Sequence, residues 1–152
     1  FLVVDVTGRG GRLLFSRAPA ALLERHGLAA SPLAQGLSSL ERLCLGAARR
    51  AGLAEPLRLP LPWSDDLGFL LGGLPALSVS LLPDEEAQAY AALCAAGGRG
   101  SIRGQPGAPG REEAGSAWPA TWDCLHSRED GIALAEEAPF ALMASFLDAL
   151  LS

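Results

Sequence analysis

Lysine is absent from this chain. Every basic side chain is an arginine, and only Arg49 and Arg50 stand next to each other. With 12 basic against 17 acidic residues the net charge is −5, and the arginines are scattered rather than striped. That argues against a nucleic-acid surface, which needs clustered positive charge to displace counterions. Long apolar runs are also missing: none approaches the ~20 residues a membrane span requires. Cysteine is scarce. Cys44, Cys94 and Cys124 form no C-x-x-C, and an odd number leaves one out of any disulfide scheme, which favours reduced thiols and a cytoplasmic setting. Histidine occurs only at His26 and His126. No initiating Met and no signal-peptide pattern open the chain: Phe1 begins in the middle of a strand-like run, so the sequence reads as a piece of a longer protein. What remains is a 152-residue chain, 49% apolar and 19% charged, enough for one globular domain with a single substantial core.

Hydrophobic periodicity gives the elements. Phe1–Val6 is a short apolar run, β-branched at its centre, and Arg12–Phe15 is a second one, with Thr7-Gly8-Arg9-Gly10-Gly11 between them. Two strands flanking a Gly-rich turn predict a hairpin, and the absence of a following helix rules out a phosphate-binding loop. Ser31-Pro32 caps a helix that runs to Ala51 before Gly52, striped by Leu37, Leu40, Leu43, Cys44, Ala47 and Ala51. Leu57–Leu61 alternates as a short edge strand. Ser64-Asp65-Asp66 starts a short helix ending at Gly72-Gly73, and Leu74–Leu82 is a buried strand. Asp84 reads as the N-cap of a helix to about Ala96, with Glu85 and Glu86 in its first turn. The segment from Gly98 to Ser116, rich in Gly, Pro and charge, reads as a flexible loop. A final helix from near Pro139 stripes Leu142, Met143, Phe146, Leu147, Leu150 and Leu151 inward. Strands alternating with helices predict an α/β domain with a mixed, largely parallel sheet spanning residues 1–152.

Two places carry candidate chemistry. Asp5 ends an apolar strand, where open α/β sheets gather functional groups. His126 lies in Trp118-Pro119-Ala120-Thr121-Trp122-Asp123-Cys124-Leu125-His126-Ser127-Arg128-Glu129-Asp130, and a neutral imidazole there suits zinc. Plainer readings stand beside these. Asp5 serves equally as a turn former, Asp65 as a helix cap, and Trp118 and Trp122 either flank a pocket or anchor the long loop by burying area. His26 ends a helix, where the dipole accounts for it.

Three segments, in order, resemble one family. Val3-Val4-Asp5-Val6-Thr7-Gly8 resembles the strand end of the two-zinc exopeptidases, the group that includes bacterial leucyl aminopeptidases, aminopeptidase Y and glutaminyl cyclases. Ser64-Asp65-Asp66-Leu67-Gly68-Phe69, continuing to Gly73-Leu74-Pro75-Ala76, resembles their "Ser-Asp-His-x-Pro-Phe … Gly-Ile-Pro-Ala" segment. Thr121–Asp130 resembles their "His-Thr-x-x-Asp" ending. The resemblance implies a three-layer α/β/α sandwich and two zinc ions. It makes Asp5 a carboxylate ligand of one zinc and His126 the imidazole ligand of the other. Asp65, Asp66 and Trp122 would lie in the substrate pocket or behind the ligands.

The departures are specific. Asp66 stands where the family has His, and Gly68 where it has Pro. The family's His-x-Asp, bridging Asp and Glu-Glu pair all precede the strand of Asp5, and Glu85-Glu86, Glu112-Glu113 and Glu136-Glu137 follow it in other contexts. The expectation is therefore the C-terminal half of a zinc aminopeptidase-like hydrolase acting on peptides. It would be completed by its missing N-terminal half, and the isolated chain, with no general base of its own, would be inactive. The other expectation is a degenerate, non-catalytic domain of the same fold used for binding or assembly.

Overall fold

The structure is a computed structural model that describes residues 1–5, 8–61, 64–96, 115–124, 133 and 135–152. The elements are β1 (Leu2–Asp5), β2 (Arg12–Ser16), α1 (Ala18–Arg25), α2 (Pro32–Arg50), β3 (Leu57–Leu59), α3 (Asp66–Leu71), β4 (Leu77–Leu82) and α4 (Asp84–Ala95). A 3-10 turn at Gly115–Ala117, α5 (Ala120–Cys124) and α6 (Glu137–Leu151) follow. The fold is α/β, with one four-stranded mixed sheet in the order β1-β4-β2-β3. β1 runs parallel to β4 and β2 parallel to β3, while β2 and β4 are antiparallel.

β4 organises this sheet. Its sequence Leu-Ser-Val-Ser-Leu-Leu is buried at every position, as expected for a strand with a neighbour on each edge and helices over it. Leu77, Val79 and Leu81 join Leu13 and Phe15 of β2 in one core with Leu37, Cys44, Ala47 and Ala48 of α2 and with Met143 and Phe146 of α6. Leu82 and Leu14 belong to a second core with Leu59, Ala87, Tyr90, Trp118 and Trp122. Alternation along β2 and β4 places these two cores on opposite faces of the sheet.

The expected hairpin between β1 and β2 is not formed. β4 lies between them, so the chain leaving β1 must cross over the carboxyl end of β4 before descending as β2. The crossing is close. Gly10 has φ +77°, and a Cβ there would lie 2.0 Å from the Pro83 nitrogen and 2.1 Å from the Leu82 carbonyl carbon. Only glycine allows this conformation and this approach. Glu136, just before α6, ties the crossover down. Its N–H donates to the Gly8 carbonyl at 2.8 Å, its carboxylate accepts from the Gly10 N–H at 3.4 Å, and Arg9 lies 3.9 Å from it.

The helices form close to where their signals lie. Ser31 Oγ accepts the Ala34 N–H at 3.2 Å, and Gly52 closes α2 in a left-handed conformation. Two stripe positions are corrected: Leu43 is 62% exposed and Leu151 87% exposed, because α2 and α6 each pack a narrower face than the sequence pattern allows. Asp84 is the first residue of α4 rather than its cap. Its carboxylate pairs with Arg12 at 3.4 Å. None of the three cysteines is in a disulfide, and among the described residues no helix is long and apolar enough to cross a membrane. The flexible-loop expectation falls largely on residues 97–114, outside the described residues.

Gly10→Ala should cost more than about 3 kcal/mol in urea unfolding, since both φ and space oppose it. Gly27→Ala, also at positive φ but with nothing within 4 Å of the added carbon, should cost only about 1 kcal/mol.

Candidate functional site

The two serines that interrupt β4 mark a polar strip on an otherwise apolar face. Ser78 and Ser80 point to the same side as Leu82. In register, Asp5 of β1 lies beside Ser80 and Val3 beside Ser78. The β2–β4 ladder ends at Phe15 and Val79, so the Ser78 N–H faces outward past the end of β2 with no strand to accept it. Asp66, in the first turn of α3, fills that gap: its Oδ2 accepts the Ser78 N–H at 3.3 Å, and the residue is fully buried. Ser64 Oγ shares a hydrogen bond with Ser78 Oγ and accepts the Asp66 N–H at 3.5 Å.

Burial pushes the Asp66 carboxyl above its ordinary range, while the Ser16 and Ser64 hydroxyls and the N–H groups of Ser78 and Leu67 draw it back down. Of these, the Ser78 N–H makes the well-formed bond. Asp66 Oδ1 is buried with no hydrogen-bond partner among the described residues. A carboxyl so placed is stabilised in its neutral form.

Asp5 is half-buried, and its carboxyl is also raised. Burial is the largest cause, followed by the charges of Asp65 and Asp66, and the Ser64 hydroxyl opposes them. Asp5 and the Ser64–Asp66 segment, sixty residues apart in sequence, thus belong to one electrostatic cluster. Asp65 is exposed and makes no side-chain cap, which removes the helix-capping alternative. Its carbonyl accepts the Gly68 N–H at 3.0 Å, so its backbone starts α3 while its carboxylate stays outside.

Trp122 is 3% exposed and packs edge-on against Tyr90 and Trp118, with ring centroids 4.8 and 5.2 Å away. Glu86 accepts the Thr121 N–H at 3.0 Å and fixes α5 to α4. The described contacts of Trp122 are those of a core residue that anchors the segment before His126. His126 and Asp130 themselves lie outside the described residues. A shallow cleft of about 170 Å³, lined by Ser16, Arg17, Ala20, Leu37, Glu41, Arg58 and Leu77, shares only Ser16 with the carboxylate cluster.

Sequence reasoning passed over Ser16, Ser78 and Ser80, and read Ser64 only as part of the segment that starts α3 and carries the resemblance. The signal was available in Ser78-Val79-Ser80, since alternating hydroxyls in an apolar strand give one face a polar strip. Among the described residues, no group of three or more His, Cys, Asp or Glu side chains converges as a metal site requires. Asp5 alone of the described ligand candidates offers a donor, so these residues by themselves do not fit a zinc ion, which takes about three protein ligands. No protein-family model, no curated protein and no solved structure matches the chain.

Asp66→Ala should lose about 2–4 kcal/mol by orphaning the Ser78 N–H and opening a cavity. Asp66→Asn keeps the acceptor and tests the charge. Because the folded-state pKa is raised, this carboxyl contributes its full stability below the ordinary Asp range and loses it as pH climbs through the raised value. Urea melts at pH 4.5 and 7.5 should therefore show Asp66→Asn gaining on the parent chain as the pH rises.

Proposed function

We propose that this chain is the portion of a two-zinc aminopeptidase-like hydrolase that carries one carboxylate ligand, Asp5, and one imidazole ligand, His126. The whole domain would be a three-layer α/β/α sandwich acting on the N-terminal residues of peptides, completed by the missing half that supplies the remaining ligands and the general base. The observation that carries the reading is the meeting of Asp5, at the carboxyl end of β1, with the Ser64-Asp65-Asp66 segment. The sequence resemblance puts these two segments in one site, and mutually repelling carboxyls are the environment in which a bound cation is favoured. The two-sided packing of the sheet supports the layered arrangement.

One observation favours the second reading, a non-catalytic domain of this fold serving binding or assembly. Asp66, where the family has His, is fully buried and occupied in closing the end of the β2–β4 ladder. It holds the sheet together at the position where the family places a polar side chain near substrate.

The test is made on the longest form of the protein that contains this chain. The expected result is about two zinc per molecule by metal analysis and hydrolysis of aminoacyl chromogenic substrates, both reduced at least tenfold by Asp5→Ala and His126→Ala. Zinc near zero together with no hydrolysis would leave the non-catalytic reading. The 152-residue chain alone should show neither property.

A further inference from the structure

The cleft that shares only Ser16 with the carboxylate cluster has a chemistry of its own. It measures about 170 Å³ and lies where β2 and β3 end, β4 begins, and α1 and α2 pass over them. β1 contributes no wall to it, and the sheet order sets β4 between β1 and β2. Leu37 and Leu77, almost wholly buried, form an apolar floor with Ala20 beside them. Three charged side chains stand around that floor. Glu41 and Arg58 are bonded to each other. Arg17 is exposed and, among the described residues, its side chain makes no hydrogen bond or ion pair. Nor does it cap α1, the helix that it precedes. Two guanidinium groups against one carboxylate leave this rim with an excess positive charge, on a chain whose net charge is −5. An exposed arginine by itself is ordinary; an unpaired one above an apolar floor is a recognition pattern.

We propose that this cleft binds a small organic monocarboxylate, its apolar group on the Ala20, Leu37 and Leu77 floor and its carboxylate held by Arg17. The two halves of the ligand follow from the two halves of the cleft. The forked donors of a guanidinium match the two oxygens of a carboxylate. Inorganic phosphate or sulfate would satisfy the charge but set oxygens against the floor, desolvated and unpaired. A neutral hydrocarbon would fill the floor and leave Arg17 unused. Glu41 on the rim opposes a second negative group, which selects monocarboxylates over dicarboxylates. Size narrows the class further. An apolar cavity of about 150 Å³ holds a benzene ring, so this cleft takes a branched or cyclic group of about five or six carbons. Such a ligand has about eight non-hydrogen atoms, and in a shallow cleft that corresponds to a Kd of about 1 mM. The same chemistry occurs in a free branched-chain acid and in the C-terminal residue of a peptide. The inference uses neither Asp5 nor His126 and stands apart from the zinc reading.

Ligand-observed NMR on the longest form of the protein that contains this chain tests it, with EDTA present so that no metal competes for the carboxylate. Isocaproate titrated from about 0.05 to 20 mM, a range set to bracket that Kd, should show saturable line broadening. Isocaproamide keeps the shape and loses the charge, and acetate keeps the charge and loses the apolar group. Each should bind more weakly by about fivefold or more, as should isocaproate to Arg17→Gln, which removes the unpaired cation, and to Ala20→Leu, which fills the floor. Circular dichroism melts identify a variant that fails to fold. Should Ala20→Leu fail, Arg17→Gln, at an exposed position with no capping bond, carries the same expectation. N-Acetyl-leucine presents the same carboxylate and side chain on a peptide bond. Tighter binding than isocaproate identifies a peptide C-terminus as the source and weaker binding a free acid, and both support the site. No saturable binding to about 20 mM overturns the proposal, as does binding that isocaproamide equals or that folded Arg17→Gln leaves unchanged.

Discussion

The antiparallel pairing of β2 with β4 is the constraint on which the rest of this structure depends. It inserts β4 between two strands that are neighbours in sequence, buries all six of its residues, and divides the hydrophobic side chains between two cores. Everything else is fitted to that pairing. The chain between β1 and β2 must bridge β4, and the bridge is possible only because Gly10 brings bare backbone onto the Leu82–Pro83 peptide. Where the pairing stops, a main-chain donor is left facing a buried region, and Asp66 arrives from α3 to accept it. An orphaned amide in that position would cost about as much as losing a substantial core contact, so the carboxyl is as structural as any leucine nearby.

The polar strip follows from the same arrangement. A central strand made only of Val, Ile and Leu would serve the core equally well, but Ser78 and Ser80 place hydroxyls on the face where Asp5, Ser64 and Asp66 come together. These small donors, with the Ser78 N–H, are what the buried Asp66 carboxyl meets among the described residues. Asp66 gains hydrogen bonds without gaining a counter-charge, and its proton affinity rises because burial outweighs them. Asp5 rises as well, with the charges of its acidic neighbours adding to burial. The two carboxyls are alike in direction but not in role. Asp66 faces inward and closes a ladder, whereas Asp5 lies at a strand end and keeps access to solvent.

Local signals in the sequence located most of the elements. Ser31-Pro32 and Gly52 bound α2, the Pro60 context restricts β3 to three residues, and the apolar run after Pro75 gives β4. These signals act within a few residues of themselves, which is why they can be read directly. The failed hairpin shows their limit. A Gly-rich segment between two apolar runs favours a tight turn only if nothing competes for the inner edges of both strands, and β4, more than sixty residues later, competes for both. Exposed Leu43 and Leu151 have a similar origin: periodicity says which side of a helix is apolar, while the curvature of the partner surface decides how much of it is covered. At the candidate site, the motif put Asp5 and Ser64-Asp65-Asp66 together. It did not separate an outward Asp65 from an inward Asp66, because one residue along a helix turns a side chain by about 100°.

That one-residue distinction matters for the function proposed from the sequence resemblance. Where a family places a His, a substitution to Asp can preserve a polar contact with substrate, or it can withdraw the side chain into the fold. The position of Asp66 answers by its burial: Oδ2 accepts the Ser78 N–H, and a fully buried carboxyl has no surface to offer a ligand. Of the carboxyls at this end of the sheet, the half-buried Asp5 and the exposed Asp65 remain reachable from solvent. Asp5 also stands at the end of β1, which among the described residues is paired with β4 alone. A chemistry built on Asp5 therefore requires β1 to be held straight and in register, and among the described residues that support comes from β4. The edge of β1 and its terminal carboxylate are for this reason one structural problem: whatever stabilises the strand also sets where Asp5 points.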